Sequence, residues 1–336
     1  MTGKGIGQAT IRDVAREADV SVASVSRVFN RLPNVRPELK ERVEQAARKL
    51  NYVPHAGARN LSMARTGAIG VVLPDLHGEF FSEMLRGMER EAALRQRHLL
   101  LSNMHLDIGH GIEALRNMRG RVDGLIVMAP HMNLDELFAH LPPSIPAVLL
   151  NCQDNGQGRP ELRVDNVEGA RAMVRHLLDC GRRAIVHIEG PAGNIEAADR
   201  SRGYAEAMKA AGLQPVMLPG NFDEESGHRA VARLQADQID VDAIFAANDM
   251  MAIGALVALR DMGVDVPSQV AVAGFDNIPL ARLISPGLTT MAVDIADMGA
   301  RGINRLVALI DGEAVPQMEL RQPGLIIRTS SQLSAA

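Results

Sequence analysis

Near the start of the chain, apolar residues recur at helical spacing. Ile11, Val14, Ala15 and Ala18 fall at i, i+3, i+4 and i+7, with Thr10 placed as N-cap and Asp13 three residues on as its acidic partner. Asp19-Val20 breaks the pattern. Ser21 can then cap a second helix from Val22 to about Asn30, whose buried stripe is Val25, Val28 and Phe29. A third amphipathic helix follows Pro37 and buries Leu39, Val43, Ala46, Ala47 and Leu50, before Asn51-Tyr52-Val53-Pro54 ends it. Beyond about Thr66 the period changes to short apolar runs: Ala68–Leu73, His98–Leu101, Gly124–Met128 and Ala147–Leu150. These read as strands buried on both faces, alternating with helical stretches such as Glu83–Leu94 at the spacing of βαβ units. The rhythm repeats with Ala184–Ile188, Pro215–Leu218, Ala243–Ala246 and Val270–Ala273, and a last strand, Gly324–Arg328, follows a helix over Met298–Ile310. The pattern predicts a small all-α unit followed by an α/β body of two doubly wound parallel-sheet halves.

Composition fits several globular units, since 336 residues with 46% hydrophobic content can bury more than one core. The net charge of −4 hides a split: residues 1–65 hold 12 Lys/Arg against 6 Asp/Glu, while the remainder holds 24 against 34. The net charge on its own points to neither nucleic acid nor membrane, but a small basic segment is joined to a large acidic body. Only Cys152 and Cys180 are present, without a C-x-x-C pair, which argues against a disulfide scaffold or thiolate metal site and fits a reducing compartment. The first residues lack the apolar stretch of a signal peptide, and no run of about 18 apolar residues occurs, so a cytoplasmic protein with no membrane partner is expected.

Two short helices across a tight turn suit a helix-turn-helix, whose second helix enters the major groove and needs small or polar residues and a cation at its exposed face. With Val25, Val28 and Phe29 buried, Ser21, Val22, Ala23, Ser26, Arg27 and Asn30 are left for the groove. By composition alone, an ordinary three-helix bundle with a solvated face fits equally well. The words Thr10-Ile-Arg-Asp-Val-Ala-Arg-Glu-Ala18, Val20-Ser-Val-Ala-Ser-Val-Ser-Arg-Val-Phe-Asn30 and Leu50-Asn-Tyr-Val-Pro54 closely resemble the headpiece of the lactose-repressor/galactose-repressor (LacI/GalR) family of bacterial regulators. The resemblance runs through both sugar-binding-protein-like halves to about Ser330. One departure is Asp19, where the family usually has Gly in the turn; Asp tolerates the left-handed conformation better than most residues.

The resemblance implies a headpiece over 8–54, a hinge helix or linker over 55–65, a first core half over 66–164 plus 294–322, and a second over 165–291 plus 323–332. It places Val22 and Ala23 at the two base-reading positions, both apolar and suited to thymine methyl groups. Thr10, Ser21, Ser24, Ser26, Arg27, Asn30 and Asn34 complete the headpiece's DNA-contact set. Ala58, Arg59 and Leu61 match the hinge helix, with Leu61 as the residue wedged into a minor-groove step. Gly57 is a poor helix former, which suits a segment that folds only on DNA.

In doubly wound halves, ligands sit beyond the carboxyl ends of the strands. The residues found there are Asp75, Phe80, Phe81, Asn151, Asn248 and Asp276, with Arg200 at the head of a helix and Phe222 in a loop. A polyol needs acceptors, a guanidinium fork and an aromatic face, which this set supplies, and the family's matching residues grip sugar hydroxyls and stack on the ring. Singly, Asp276 or Asn248 fits a helix cap and Arg200 a surface ion pair. Val293 stands where many relatives carry a ligand-contacting Gln. Nucleotide-binding, zinc-protease and nucleophile-elbow motifs are missing, and the ten His show no ligand spacing. His77 and His131 fit hydrogen-bonded roles better than metal ligation. The expectation is a homodimeric, ligand-responsive repressor of a pseudo-palindromic operator with no cofactor and no catalytic step. A sugar-processing enzyme or a sugar carrier on the same body is the alternative.

Overall fold

The computed structural model describes residues 9–29, 34–52, 65–140, 144–152 and 158–332. It divides into two compact units at Gly67. In the first, helices α1 (Ile11–Glu17), α2 (Val22–Phe29) and α3 (Pro37–Lys49) surround a core of Val14, Ala15, Val25, Val28, Val43, Ala46 and Ala47. Phe29, Leu39 and Leu50 are half-buried at its rim. Thr10 and Asp13 form a reciprocal capping box at the head of α1, satisfying two backbone donors that the first helical turn leaves free. Asp19 takes the left-handed conformation (φ 50°), so the turn survives without glycine. Arg42 of α3 ties that turn down, its Nη2 donating to the carbonyls of Ala18 and Asp19 at 2.6 and 3.0 Å.

The second unit runs β1 (Ala68–Leu73), α4 (Glu79–Leu94), β2 (His98–Asn103), α5 (Ile108–Met118), β3 (Gly124–Val127), α6 (Leu134–Phe138), β4 (Ala147–Leu150), β5 (Glu161–Val164) and α7 (Asn166–Asp179). It continues through β6 (Ile185–Ile188), α8 (Ile195–Ala210), β7 (Val216–Leu218), α9 (Glu224–Ala236), β8 (Ala243–Ala246), α10 (Asp249–Asp261) and β9 (Ala271–Asp276). The chain ends through β10 (Thr289–Ala292), α11 (Ile295–Ile310), β11 (Met318–Arg321) and β12 (Gly324–Ile326). Two six-stranded sheets result, in the orders β11-β5-β4-β3-β1-β2 and β12-β10-β9-β8-β6-β7. Each order reverses once, between β1 and β3 in the first sheet and between β6 and β8 in the second, which opens a crevice at the strands' carboxyl ends.

The chain passes between the sheets three times: from Val164 into α7, from Ala292 into α11, and from Arg321 to Gly324. Polar contacts tie these crossings together. Gln322 Nε2 donates to Asp165 Oδ2 at 3.0 Å, the Asp165 N–H donates to Arg321 O at 2.8 Å, and Arg321 faces Asp297 at 2.8 Å.

Several elements depart from the pattern reading. β2 is an edge strand with Leu100 and Leu101 exposed rather than buried on both faces, because only β1 pairs with it. β5, β10 and β11 have no clear apolar run: Glu-Leu-Arg-Val and Met-Glu-Leu-Arg put charges into strands, where the Glu161 carboxylate faces Arg163 on the same strand and Glu319 is paired by Arg301 and Arg305 of α11, Arg305 also donating to the Glu161 backbone carbonyl. β12 is shorter than expected and pairs antiparallel with β10 as an edge strand. α4 begins at Glu79, so Phe80 and Phe81 lie in its first turn, and β9 extends to Asp276 itself. No helix among the described residues is long and apolar enough to cross a membrane.

Candidate functional site

Two surfaces carry candidate chemistry. On the headpiece, burial of Val25 and Val28 turns the opposite face of α2 outward, leaving Val22, Ala23 and Arg27 exposed and Ser24 and Ser26 partly so. Val22 is 42% exposed, an apolar side chain held in water at the first position of the helix. Ser21 is spent locally: its Oγ accepts from the Ser24 N–H at 3.1 Å and meets Ser24 Oγ at 2.9 Å. Thr10 caps α1, and Asn34 is exposed. Asn30, Ala58, Arg59 and Leu61, with the rest of the expected hinge helix, lie outside the described residues.

In the body, the carboxyl ends of the strands gather a buried polar cluster around Arg200, which is 3% exposed. Its Nε donates to Asn166 Oδ1 at 2.8 Å and its Nη1 to the Ala247 carbonyl at 2.6 Å. Its Nη2 faces Asp276 Oδ1 at 3.3 Å and Glu196 Oε1 at 3.7 Å. The guanidinium carbon stands over two rings, 3.9 Å from the centre of Phe275 and 5.9 Å from that of Phe222. Burial pushes the Asp276 carboxyl up to about 6 against the pull of Arg200. Burial likewise raises Glu196 to about 7, with Arg200 lowering it and Asp276 raising it further.

Loop backbones around this cluster are held in unfavourable conformations. Asn151 (φ 47°), Phe222 (φ 63°) and Asp276 (φ 110°) all have positive φ, the kind of strain that persists where surrounding structure over-determines it and that concentrates at ligand sites. Asp276 is held by its neighbours: the wholly buried Asp249 accepts from Thr290 Oγ1 at 2.5 Å and from the Ile278 N–H at 2.9 Å, fixing the segment that follows β9. Burial and the charge of Asp276 keep Asp249 well above the ordinary carboxylate range. Asn248 caps α10 through its Oδ1 and donates from Nδ2 to the Phe222 carbonyl at 2.9 Å, so it shapes the Phe222 loop. That loop needs a glycine opposite, because a Cβ on Gly190 would stand 2.5 Å from the Phe222 ring.

From the first half, Asn151 enters the same region. It is 3% exposed, and among the described residues neither its amide oxygen nor its amide nitrogen has a hydrogen-bond partner. It lines a space of about 10 Å³ with Arg163, Val164, Asn166, Ile195, Glu196 and Asp199, room for about one water molecule. A larger occupant requires the two halves to part. Asp75 accepts from the backbone of Leu76 and His77, from His77 Nδ1 at 2.8 Å and from Asn103 Nδ2 at 3.4 Å. Burial works to raise its carboxyl, and the hydrogen bonds from His77 and Leu76 outweigh it, so it lies below its usual value. Phe80 and Phe81 meet edge to face with ring centres 5.4 Å apart. Among the described residues, no hydrogen bond, ion pair or ring contact joins Asp75, Phe80 or Phe81 to the Arg200 cluster.

Glu196, Asn166 and Phe275 escaped the sequence reading. For Glu196 a signal existed, since Asn194 caps α8 and the i, i+4 spacing of Glu196 and Arg200 puts both on one helix face. Asn166 and Phe275 come from distant segments, and only the sheet order brings them to the guanidinium.

A helix-turn-helix headpiece joined to a body of two doubly wound halves with a polar cleft between them defines a ligand-binding type of DNA-binding regulator. Residues 10–55 match the bacterial regulatory proteins of the lacI family, and residues 174–331 match the periplasmic binding protein-like domain. The chain is 32% identical to the catabolite control protein A of Priestia megaterium over 94% of its own length and 96% of that protein's. It is 36% identical to the HTH-type transcriptional regulator GalS of Salmonella typhimurium over 86% of each chain. Its structure superposes on a lac repressor dimer bound to operator and an anti-inducer with a TM-score of 0.87, at 27% identity, covering 96% of this chain and 99% of that one. The protein belongs to the lacI family of bacterial regulatory proteins and is a helix-turn-helix transcription regulator.

Proposed function

We propose that this regulator represses transcription by binding a pseudo-palindromic operator as a homodimer, and that a sugar or related metabolite seated around Arg200 acts as its effector. The observation that carries the DNA half is the exposed N-terminal face of α2, where Val22 and Ala23 project apolar surface suited to thymine methyl groups beside the phosphate-binding Arg27. Thr10, Ser21, Ser24, Ser26, Asn30 and Asn34 add backbone contacts, and Ala58, Arg59 and Leu61 serve the minor groove. One headpiece supplies too few phosphate contacts for tight binding, which favours a pair. Exposed apolar side chains available for pairing lie on both halves, at Leu100 and Leu101 on β2 and at Val257 and Leu283 on the second half.

The effector half rests on the cluster of Arg200, Asp276, Asn248, Phe222 and Asn151, with Asp75, Phe80 and Phe81 as the first half's further contribution. A ligand gripping both halves acts as a clamp, and it shifts DNA binding only as far as its contacts differ between the open and closed arrangements. The protein's role is regulatory, exercised at the nucleoid in the cytoplasm, with no reaction catalysed.

Selection of binding sites from random DNA tests the reading. Arg27→Ala weakens binding to all sequences, whereas exchanging Val22 and Ala23 for larger polar residues changes the sequence selected. An unchanged site after the Val22/Ala23 exchange would show that α2 is not the recognition helix.

A further inference from the structure

The buried cluster in the cleft has more carboxylates than cations. Arg200 contacts both Glu196 and Asp276, and its fork is committed: Nε to Asn166, Nη1 to Ala247 and Nη2 to the two carboxylates. Asp249 adds a third buried carboxyl, close enough to Asp276 for that charge to raise it further. Arg163 is the other cation lining the space beside Asn151, and it stands 3.7 Å from Glu161. An anionic group entering here finds the Arg200 fork already engaged and, wherever Glu196 and Asp276 are ionised, meets like charge in a low-dielectric setting.

The unmet hydrogen-bonding capacity has the same bias. Among the described residues, both amide atoms of Asn151 are buried without a hydrogen-bond partner, and Glu196 Oε1 and Asp276 Oδ1 share the single Nη2 of Arg200, at 3.7 and 3.3 Å, without a well-formed hydrogen bond. Three of these four atoms only accept. What completes them is a compound with several donors and no negative charge, reaching Glu196 and Asp276 from one side and Asn151 from the other. Resting on the reading of this cleft as the effector site, we propose that Glu196 is a specificity-determining residue that admits an uncharged polyhydroxy effector, such as a free sugar, and rejects its phosphorylated and carboxylic acid forms.

The titration of Glu196 supplies a second readout. The groups facing it are Asp199 and Arg200 on its own helix, Asp276 at the end of β9, Asn166 on α7, and Asn151, Cys152 and Arg163 from the first half. Burial holds its carboxyl near 7, and hydroxyl donors prefer the ionised form, so affinity for a neutral sugar rises between pH 6 and pH 8.

The experiment is calorimetric titration of the full-length protein with matched sets: glucose, glucose 6-phosphate and glucuronate; galactose, galactose 1-phosphate and galacturonate; and ribose with ribose 5-phosphate. Release of the selected operator is followed in parallel. The expected result is binding of a neutral member at least 10-fold tighter than its anionic partners. Glu196→Gln should weaken that neutral sugar about 10- to 100-fold, narrow the neutral-to-anionic gap and flatten the rise with pH. A change in selectivity separates recognition from a merely structural effect. An anionic member binding as tightly as its neutral partner overturns the proposal, as does a Glu196→Gln protein with wild-type selectivity. If a sugar phosphate binds and releases operator, this inference fails while the effector-responsive reading stands. An operator complex indifferent to every compound counts against both.

Discussion

Arg200→Ala is the substitution with the most to report, because a single side chain holds two carbonyl oxygens and two carboxylates in a wholly buried place. Removing it strands the Asn166 and Ala247 oxygens, each at a cost of about 1–3 kcal/mol. Removing one partner of a buried ion pair costs about 3–5 kcal/mol, because a charge is left unpaired. The two losses overlap, so the expected destabilisation of the body at pH 8 is about 3–5 kcal/mol rather than their sum. At pH 5 the outcome differs. Asp276 and Glu196 have native values of about 6 and 7, above their ordinary 3.8 and 4.5, so the stability they contribute is fully present below about pH 4 and is lost as pH rises through those native values. Without Arg200 both native values climb further, and the mutant loses more stability over the same rise than the wild type. At pH 5 the carboxyls are largely protonated in the fold, so the unpaired-charge part of the cost falls away and the deficit is smaller than at pH 8. Urea unfolding followed by circular dichroism at pH 5 and pH 8 measures both gaps, and Arg200→Lys, which keeps the charge without the fork, should fall between. A gap below about 1 kcal/mol at pH 8, or one that is the same at both pH values, would refute the account of the cluster as a charge-compensated core.

Two further predictions concern the walls of the cleft. Gly190→Ala should lower stability by about 1–3 kcal/mol or displace Phe222, since its Cβ would meet the ring at 2.5 Å; an unchanged melting temperature together with unchanged effector affinity would contradict it. His187, buried between the Phe245 carbonyl at 2.8 Å and Ser201 Oγ at 3.2 Å, has its imidazole pushed down to about 4 by burial. Its stabilising share is fully present above pH 6.5 and is lost as pH falls through 4, so its ring resonances should hold steady in NMR spectra down to pH 5, and a titration near 6.5 would contradict the burial argument.

The sheets and the headpiece were legible to different depths. Helices α1 to α3 follow from period and capping words, because a short amphipathic helix advertises its buried stripe locally. The central strands β1, β3, β4, β6, β8 and β9 announce themselves as apolar runs because helices cover both faces. The strands β5 and β11 could not be read that way: the charges of β11 are tolerated because α11 supplies their partners, Arg301 and Arg305 to Glu319 and Asp297 to Arg321, while in β5 Glu161 faces Arg163 on its own strand. Asp276 was found as a residue following a strand; that it sits on the strand, strained at φ 110° and propped by Asp249, depends on Thr290, a residue far along the chain.

The sequence by itself determined the periods, the caps and the alternation of strand and helix, and with them the two-part plan of a basic helical unit and a doubly wound body. Those features are set within a dozen residues, where backbone geometry and side-chain burial act together. Which side chains share a guanidinium was decided only by the tertiary structure. Arg200 draws Asn166 from α7, Ala247 from the end of β8, Asp276 from β9 and Glu196 from one turn back on α8, and it draws them in because the sheet order makes the carboxyl ends of those strands neighbours. Burial then did what no spacing rule encodes: it raised two carboxyls toward neutrality and left acceptors without partners, because a charge withdrawn from water depends on whatever the fold places beside it.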